Sequence, residues 1–273
     1  MSSNVLVIGA SGYLGQKITQ LLGSRAVPTH RSVHKFSNSI RYDFYSDQKL
    51  PLDVTVRTVV FAAAVEMNQP TAKLERAMRQ LLPQVSGYRF IYISSDAVFS
   101  GERGLYTEAA QPDPINGYGR NLVLCEQLVQ EMVDDHCIIR PSYIFGFVNG
   151  QLDARLARTR DTLLAGDEYR AFENYYKCPL SVHEVAEAVV QLTGSNYIGP
   201  LHVAGPRMSA YDFHRHAMDA LAVDTSNLIP ELMPTDTNLM PDTSLDSSRW
   251  WAMRGSQPMS IRDALQIEQF CEA

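Results

Sequence analysis

Apolar positions along this chain follow two alternating periods, and that alternation predicts its architecture. Val5–Ile8 is an unbroken apolar run, as expected of a strand buried on both faces. Leu14, Ile18, Leu21 and Leu22 then recur at helical spacing. Ala26–His30 predicts a second strand and Ile40–Phe44 a short third. Thr58–Ala64 is another buried strand, ending in small residues. A helix is expected from about Pro70 to Leu82, the proline suiting its first turn. Arg89–Ile93 continues as a strand, and Gly101–Pro114 is polar and rich in turn formers, as a loop is. Tyr118–Val133 predicts a helix with Leu122, Cys125, Leu128, Val129 and Met132 on or near one face, and Ile138–Arg140 the strand after it. Strands alternating with helices in this way predict an α/β fold with a doubly wound parallel sheet.

After Phe147 the rhythm changes. Helices are expected near Leu152–Leu164, His183–Leu192 and Ala210–Leu221, separated by strand-like pieces such as Leu201–Ala204, with a last helix over Ser260–Cys271. The expected division is residues 1–147 mainly in the sheet domain and 148–273 mainly in a smaller C-terminal lobe, with some segments returning to the sheet domain. A length of 273 residues accommodates this. The net charge of −6 comes without a run of like charges, so neither nucleic acid nor an anionic membrane is expected as a partner. Cys125, Cys137, Cys178 and Cys271 show no paired short spacing, which predicts reduced thiols and neither disulfides nor a metal site. No apolar run approaches membrane-spanning length, and the N-terminus leads straight into the first strand. A cytoplasmic protein without a signal peptide is the expectation.

Candidate chemistry begins between the first strand and the first helix, at Gly9-Ala10-Ser11-Gly12-Tyr13-Leu14-Gly15. A helix N-terminus beyond such a turn offers backbone N–H groups and a positive dipole end to a pyrophosphate. Gly9 would permit the tight turn, Gly12 the approach of the phosphates, and Gly15 the close packing of helix on strand. Flanked by a strand and a helix, the triplet predicts a Rossmann-type dinucleotide site more specifically than three glycines alone. The second strand ends in Thr29-His30-Arg31, with no carboxylate for the adenosine ribose hydroxyls. An arginine pairs a 2′-phosphate through its planar fork of donors, so NADP is expected ahead of NAD. Asp43, beside Phe44, is placed to bond an adenine amino group, and Ala62, Ala63 and Ala64 are small enough for a cofactor to lie against the backbone. Ser94-Ser95-Asp96 ends a strand on the side of the sheet where ligands gather.

Further motifs stand in order along the chain. They are Ser94-Ser95-Asp96-Ala97-Val98-Phe99-Ser100-Gly101, Tyr106-Thr107-Glu108, Pro114, and Tyr118-Gly119 with Glu126 downstream. Arg140-Pro141-Ser142-Tyr143-Ile144-Phe145-Gly146, Pro179–Ala186, His202–Pro206 and Ser244–Arg249 follow. With the glycine turn, these resemble the extended short-chain dehydrogenases/reductases, and specifically the dTDP-4-dehydrorhamnose reductases, over nearly the whole length. The resemblance implies a cofactor turn that includes Ser11, Tyr13 and Leu14, His30 beside Arg31, and Pro141 and Tyr143 on the loop beside the nicotinamide. It implies Ser95 as the holder of the substrate carbonyl and Tyr118 as the proton donor or acceptor, next to the nicotinamide. Asp96 and Val98 would join Ser95 at the substrate. A nucleotide sugar as substrate, and a homodimer or a regulatory partner protein, are further implications.

One position departs from the family. A lysine four residues after the tyrosine bonds the nicotinamide ribose there and lowers the tyrosine pKa, because a nearby cation favours phenolate. Here that residue is Leu122. A free tyrosine titrates near ~10, so without the cation it stays protonated near neutral pH, still able to act as an acid. Arg120 is on another side of the helix. Lys177 from the second lobe, or Asn121 toward the ribose, are the alternatives. Phe172, Tyr175 and Tyr176 either line a sugar or base pocket or simply pack. His183 reads as structural, and His214 and His216, two apart, fall on different helix faces and predict no metal site. Three functions stay open: an NADP-dependent keto-sugar reductase, a related enzyme with redox-neutral chemistry, or an NADP-binding regulatory subunit like that of methionine adenosyltransferase.

Overall fold

A computed structural model describes residues 3–67, 69–235 and 239–270. The strands β1 (Asn4–Ile8), β2 (Ala26–His30), β3 (Ile40–Arg41), β4 (Val56–Phe61), β5 (Arg89–Ile93) and β6 (His136–Arg140) form one sheet with Gly199–His202. Its order is Gly199–His202, β6, β5, β4, β1, β2, β3. The registers that join β1 through β6 are all parallel. This is the expected α/β, Rossmann-type sheet. Its order reverses between β1 and β4, which creates the switch point where such sheets bind ligands.

The helices that cover the sheet follow from their apolar spacing. Helix α1 (Tyr13–Leu22) buries Leu14, Ile18 and Leu22. Helix α2 (Thr71–Val85) buries Leu74, Met78, Leu81 and Leu82, and α3 (Gly117–Met132) buries Leu122, Cys125, Leu128 and Val129. The last two helices share a core with Leu6, Ile8, Val59, Phe61, Phe90 and Tyr92 of the strands. Helix α2 runs three residues past the expected Leu82 and contains Pro83, whose missing N–H leaves the Arg79 carbonyl without its i+4 donor one turn before the helix ends. Pro28 is tolerated inside β2 because β3 begins to pair only at Thr29, leaving no ladder bond on that side for the missing N–H.

Strand β3 is shorter than the expected Ile40–Phe44. The Asp43 carboxylate accepts the Tyr45 backbone N–H at 3.0 Å, a local turn that ends the strand. The turn delivers the Phe44 ring into the core, edge-on to Phe61 with ring centroids 5.2 Å apart.

The described residues divide into two compact units that interleave along the chain. One comprises the segments up to Val98, Asn116–Arg140 and Ala186–Leu201; the other comprises Phe99–Ile115, Pro141–Val185 and the residues from His202 on. The second unit contains α4 (Ala154–Leu164), α6 (Ala210–Ala220), α7 (Ser248–Arg254) and α8 (Ile261–Phe270), with α5 (Val182–Leu192) passing from the second unit into the first. Its core joins Phe145, Phe147, Leu156, Phe213, Met218 and Leu228. The expected strand at Leu201–Ala204 is instead Gly199–His202. Cys125, Cys137 and Cys178 are buried thiols outside any disulfide; Cys271 lies outside the described residues. Among the described residues no helix is long and apolar enough to cross a membrane.

Gly15 explains how tightly α1 sits on β1. A Cβ there would lie 2.1 Å from the Gly9 carbonyl oxygen, a backbone atom that cannot rotate aside. Gly15→Ala is expected to cost about 1–3 kcal/mol of stability through this overpacking. A fall in the urea midpoint checks it, and an unchanged midpoint would show that α1 can lift without cost.

Candidate active site

The glycine turn closes the end of β1. Gly9 has φ +86°, and a Cβ on it would meet the Ala63 backbone nitrogen at 2.6 Å, so both conformation and space require glycine. The Gly12 N–H donates to the Gly9 carbonyl at 2.9 Å. Gly12 caps α1 without help from any side chain, and no acidic residue stands in the first helical turn. A Cβ at Gly12 would meet only the Gly9 oxygen, at 3.3 Å, so the protein alone does not demand glycine there. Room in front of a positively polarised helix end is what a pyrophosphate needs. Ser11 donates its hydroxyl to the Val33 carbonyl at 2.6 Å and so ties the turn to the loop after β2. Leu14 is buried under α1, and Tyr13 is half-buried.

The neighbouring candidates are arranged along the carboxyl ends of β2, β3 and β4. His30 shares a 2.9 Å hydrogen bond with Ser39 and meets His34 edge-on, while Arg31 is exposed. Asp43 is half-buried and occupied in the turn described above, and Phe44 is a core residue. Ala62 and Ala63 are half-buried and Ala64 is exposed. The Ala62 N–H donates to the Ile8 carbonyl at 2.9 Å, which holds β4 against the glycine turn at the switch point.

The end of β5 separates two adjacent serines by role. The Ser94 hydroxyl is buried and donates to Glu126 at 2.5 Å. Glu126 also takes two hydrogen bonds from the Arg140 guanidinium, at 2.9 and 2.5 Å. Both charges are buried, so this pair fixes α3 against β6, and losing one partner would strand the other. Ser95 is half-buried, and its hydroxyl donates to Asp96 at 2.9 Å and accepts the Ala97 N–H at 3.2 Å. Asp96 is buried and Val98 is wholly within the core.

Tyr118 reaches Ser95 from the first turn of α3, which Asn116 caps by accepting the Gly119 N–H at 2.8 Å. The phenol and the Ser95 hydroxyl are hydrogen-bonded. Burial holds the Tyr118 phenol well above its ordinary pKa; the charges of Glu66 and Asp96 add to this, and the Ser95 bond opposes it. Tyr118 is therefore a proton donor across the whole neutral range. Leu122 is buried one turn further on. Asn121 is committed elsewhere: its amide nitrogen donates to the Glu66 and Gln69 carbonyls at 2.9 and 3.1 Å, and its oxygen accepts from Thr71 at 2.9 Å. That leaves no donor for a ribose, contrary to the alternative drawn from sequence.

Glu66 is the residue that the sequence did not bring forward. It follows the small end of β4 in an otherwise apolar stretch, and it is buried with its carboxylate oxygen 2.5 Å from the Tyr92 hydroxyl. An acid five residues past the end of β4, just after the run Ala62–Ala64, was the available signal.

The other candidates belong to the second unit. Pro141 is buried. The Tyr143 ring lies 3.5 Å beneath the Arg155 guanidinium and packs on Phe213, and its hydroxyl is buried without a partner among the described residues. The Lys177 ammonium donates to Thr243 at 2.6 Å within the same unit. Tyr176 is covered by Arg207 at 3.6 Å, which is itself paired with Asp242. His183 is half-buried at the start of α5; His214 is buried and His216 exposed, the different faces expected from their spacing.

The spore coat polysaccharide biosynthesis protein SpsK of Bacillus subtilis (strain 168) is 27% identical, covering 97% of this chain and 96% of its own. Methionine adenosyltransferase 2 subunit beta of Mus musculus is 26% identical, over 84% of this chain and 75% of its own. The solved structure of dTDP-4-dehydrorhamnose reductase from Bacillus anthracis str. Ames in complex with NADP has the same fold, with a TM-score of 0.79, 19% identity and full coverage of both chains. The family described as RmlD substrate binding domain matches residues 3–267, and the chain belongs to that family.

Proposed function

We propose that this protein is an NADP(H)-dependent reductase of a nucleotide-linked keto-sugar. The observation that carries this reading is the hydrogen bond between Ser95 and Tyr118 at the carboxyl end of β5, two strands from the glycine turn. NADPH, when bound, supplies the hydride. Residues 9–15 would hold its pyrophosphate and Arg31 its 2′-phosphate, with Ala62–Ala64 giving room beside β4. The Ser95 hydroxyl orients the substrate carbonyl, and Tyr118 hands its proton to the carbonyl oxygen as negative charge develops there. A phenol kept protonated suits the reducing direction. The second unit serves as the sugar-nucleotide lobe in this reading, and the reaction is placed in the cytoplasm. The relatives' names, a polysaccharide biosynthesis protein and a dTDP-4-dehydrorhamnose reductase, support the substrate class.

The test is loss of nicotinamide absorbance when NADPH and dTDP-4-dehydrorhamnose are mixed with the protein. Binding of NADPH without turnover would reject the reductase and favour the second reading, a cofactor-binding regulatory subunit. That reading draws on Leu122 in place of the lysine and on the likeness to methionine adenosyltransferase 2 subunit beta.

Two substitutions separate the cofactor contacts. Gly12→Val should leave a folded protein that no longer binds NADP(H), because the new side chain fills the phosphate approach and not a protein contact. Calorimetric titration reads this, and retained affinity would make the turn purely structural. Arg31→Ala should weaken NADP binding by about tenfold or more and leave NAD binding unchanged, since a charged hydrogen bond contributes roughly 1.5–3 kcal/mol. Equal losses for both cofactors would remove Arg31 from the 2′-phosphate.

A further inference from the structure

Ser11 stands in the glycine turn, yet its side chain is committed elsewhere. Its hydroxyl donates to the Val33 carbonyl at 2.6 Å, across 22 residues of chain. A serine carries a single O–H donor. While this bond stands, the Ser11 side chain has no proton left for a pyrophosphate, whose oxygens need donors. The turn itself is braced by α1, where the Gln16 amide nitrogen donates to the Ser11 and Gly12 carbonyls at 3.1 and 3.4 Å. The Ser11 hydroxyl therefore serves another segment, the loop between β2 and β3. Residues 31–35 of that loop are all exposed. His30 closes its base: the ring shares the 2.9 Å bond with Ser39, and the carbonyl accepts the Tyr42 N–H at 2.9 Å. His34 returns to this base, edge-on to His30 with ring centroids 5.1 Å apart. The Ser11 bond ties the middle of the exposed stretch to the glycine turn, two residues beyond Arg31.

We propose that Ser11 is a specificity-determining positioning residue for the cofactor, its hydroxyl fixing the Arg31 loop against the glycine turn at the spacing NADP requires. The inference rests on the reading of this turn and Arg31 as the NADP site. In NADP the pyrophosphate and the 2′-phosphate hang from one adenosine ribose, so covalent bonds set how far apart they lie. A protein that holds both needs two anion sites at a matching separation. One site here is rigid, because Gly9 and Gly15 leave no room for a Cβ against neighbouring backbone. The other is a long side chain on an exposed loop, and ordering it on binding costs entropy. The Ser11–Val33 bond removes part of that cost by fixing the backbone near Arg31 before the cofactor arrives. NAD has no 2′-phosphate and gains nothing from this. The bond acts on discrimination and not on dinucleotide binding in general.

Calorimetric titration of NADPH and NADH into wild type, Ser11→Ala, Arg31→Ala and the double variant tests this. Ser11→Ala should weaken NADPH about fivefold, within the range of one neutral hydrogen bond, and move NADH by less than about twofold. In the Arg31→Ala background the same substitution should change NADPH by less than about twofold, because Ser11 then has no phosphate contact to position. A merely structural role, or a contact of the hydroxyl with the pyrophosphate, lowers both cofactors alike and adds to the loss from Arg31→Ala. Either result overturns the proposal. If Arg31→Ala leaves NADPH binding unchanged, the reading of Arg31 fails separately. A selective loss of NADPH in Ser11→Ala then still places discrimination in the tied loop, and an unselective one removes it. A wild type that binds neither cofactor rejects the NADP site, and the inference falls with it.

Discussion

Tyr118→Phe should cut keto-sugar reduction by about 10³-fold while leaving NADPH binding and the fold intact. The estimate sits inside the usual contribution of a positioned general acid, roughly 10²–10⁴-fold. The ring is preserved, so the packing of the first turn of α3 survives. Ser95 keeps its hydrogen bonds to Asp96 and to the Ala97 N–H, so the carbonyl-orienting group stays in place. What disappears is the proton, with no neighbour to replace it, since the Asn121 amide is committed to Glu66, Gln69 and Thr71. Steady-state rates with NADPH and the keto-sugar, next to a calorimetric titration of the cofactor, read both halves. A variant with more than about a tenth of wild-type turnover would remove Tyr118 from the chemistry.

The second large effect concerns stability in acid. His214 of α6 is buried, and its Nδ1 meets the Thr159 hydroxyl of α4 at 2.9 Å. That hydroxyl donates its own proton to the Arg155 carbonyl at 3.1 Å, so Nδ1 carries the hydrogen in this pair. A second proton must then go on Nε2 of a buried ring whose aromatic neighbours are Tyr169 and Phe213. Burial, helped by Arg155, pushes the His214 pKa down to about 4. An unfolded histidine titrates near 6.5, so below that value the unfolded chain takes up a proton that the folded one refuses. Stability is therefore full above about pH 6.5 and declines toward pH 4, by about 3 kcal/mol in total. His214→Asn retains a donor for Thr159 and should lose this part of the slope. The two tryptophans, Trp250 and Trp251, both lie in the second unit, so their fluorescence follows its unfolding. Parallel pH profiles for wild type and variant would reject the assignment.

Strands β1, β4 and β5 were legible in the sequence because parallel strands covered on both faces leave continuous apolar runs. The same holds for α1 and α3, whose apolar residues recur at helical spacing. The Gly9–Gly15 turn was legible because its demands are local, one on φ and one on the space beside the next strand. Ser95 and Tyr118 were brought forward by resemblance, and the fold places them in hydrogen-bond contact. Other features depend on contacts remote in sequence. Glu66 gains its character from Tyr92 and from α3, neither of which its own segment announces. Asn121 looked available for a ribose until Thr71 and two distant carbonyls claimed its amide. Phe44 left the expected strand because an adjacent carboxylate turned the chain. The two units interleave along the chain, with residues 99–115 in the second and 186–201 in the first.

That interleaving dictates the order in which the chain can be finished at the ribosome. The sheet lacks its last strand until Gly199–His202 has emerged, some three quarters of the way through synthesis. Arg89, at the start of β5, marks the wait most sharply. Its buried guanidinium donates to the carbonyls of Leu192 at 2.7 Å and Tyr197 at 3.0 Å, more than a hundred residues downstream. Until those carbonyls arrive, a nascent chain has Asp135 as the side-chain partner of that cation and leaves the flank of β6 uncovered, with edge backbone exposed to any passing strand. A messenger truncated at residue 147 would thus yield a sheet permanently missing one edge, a substrate for chaperones and proteases rather than a miniature of the protein.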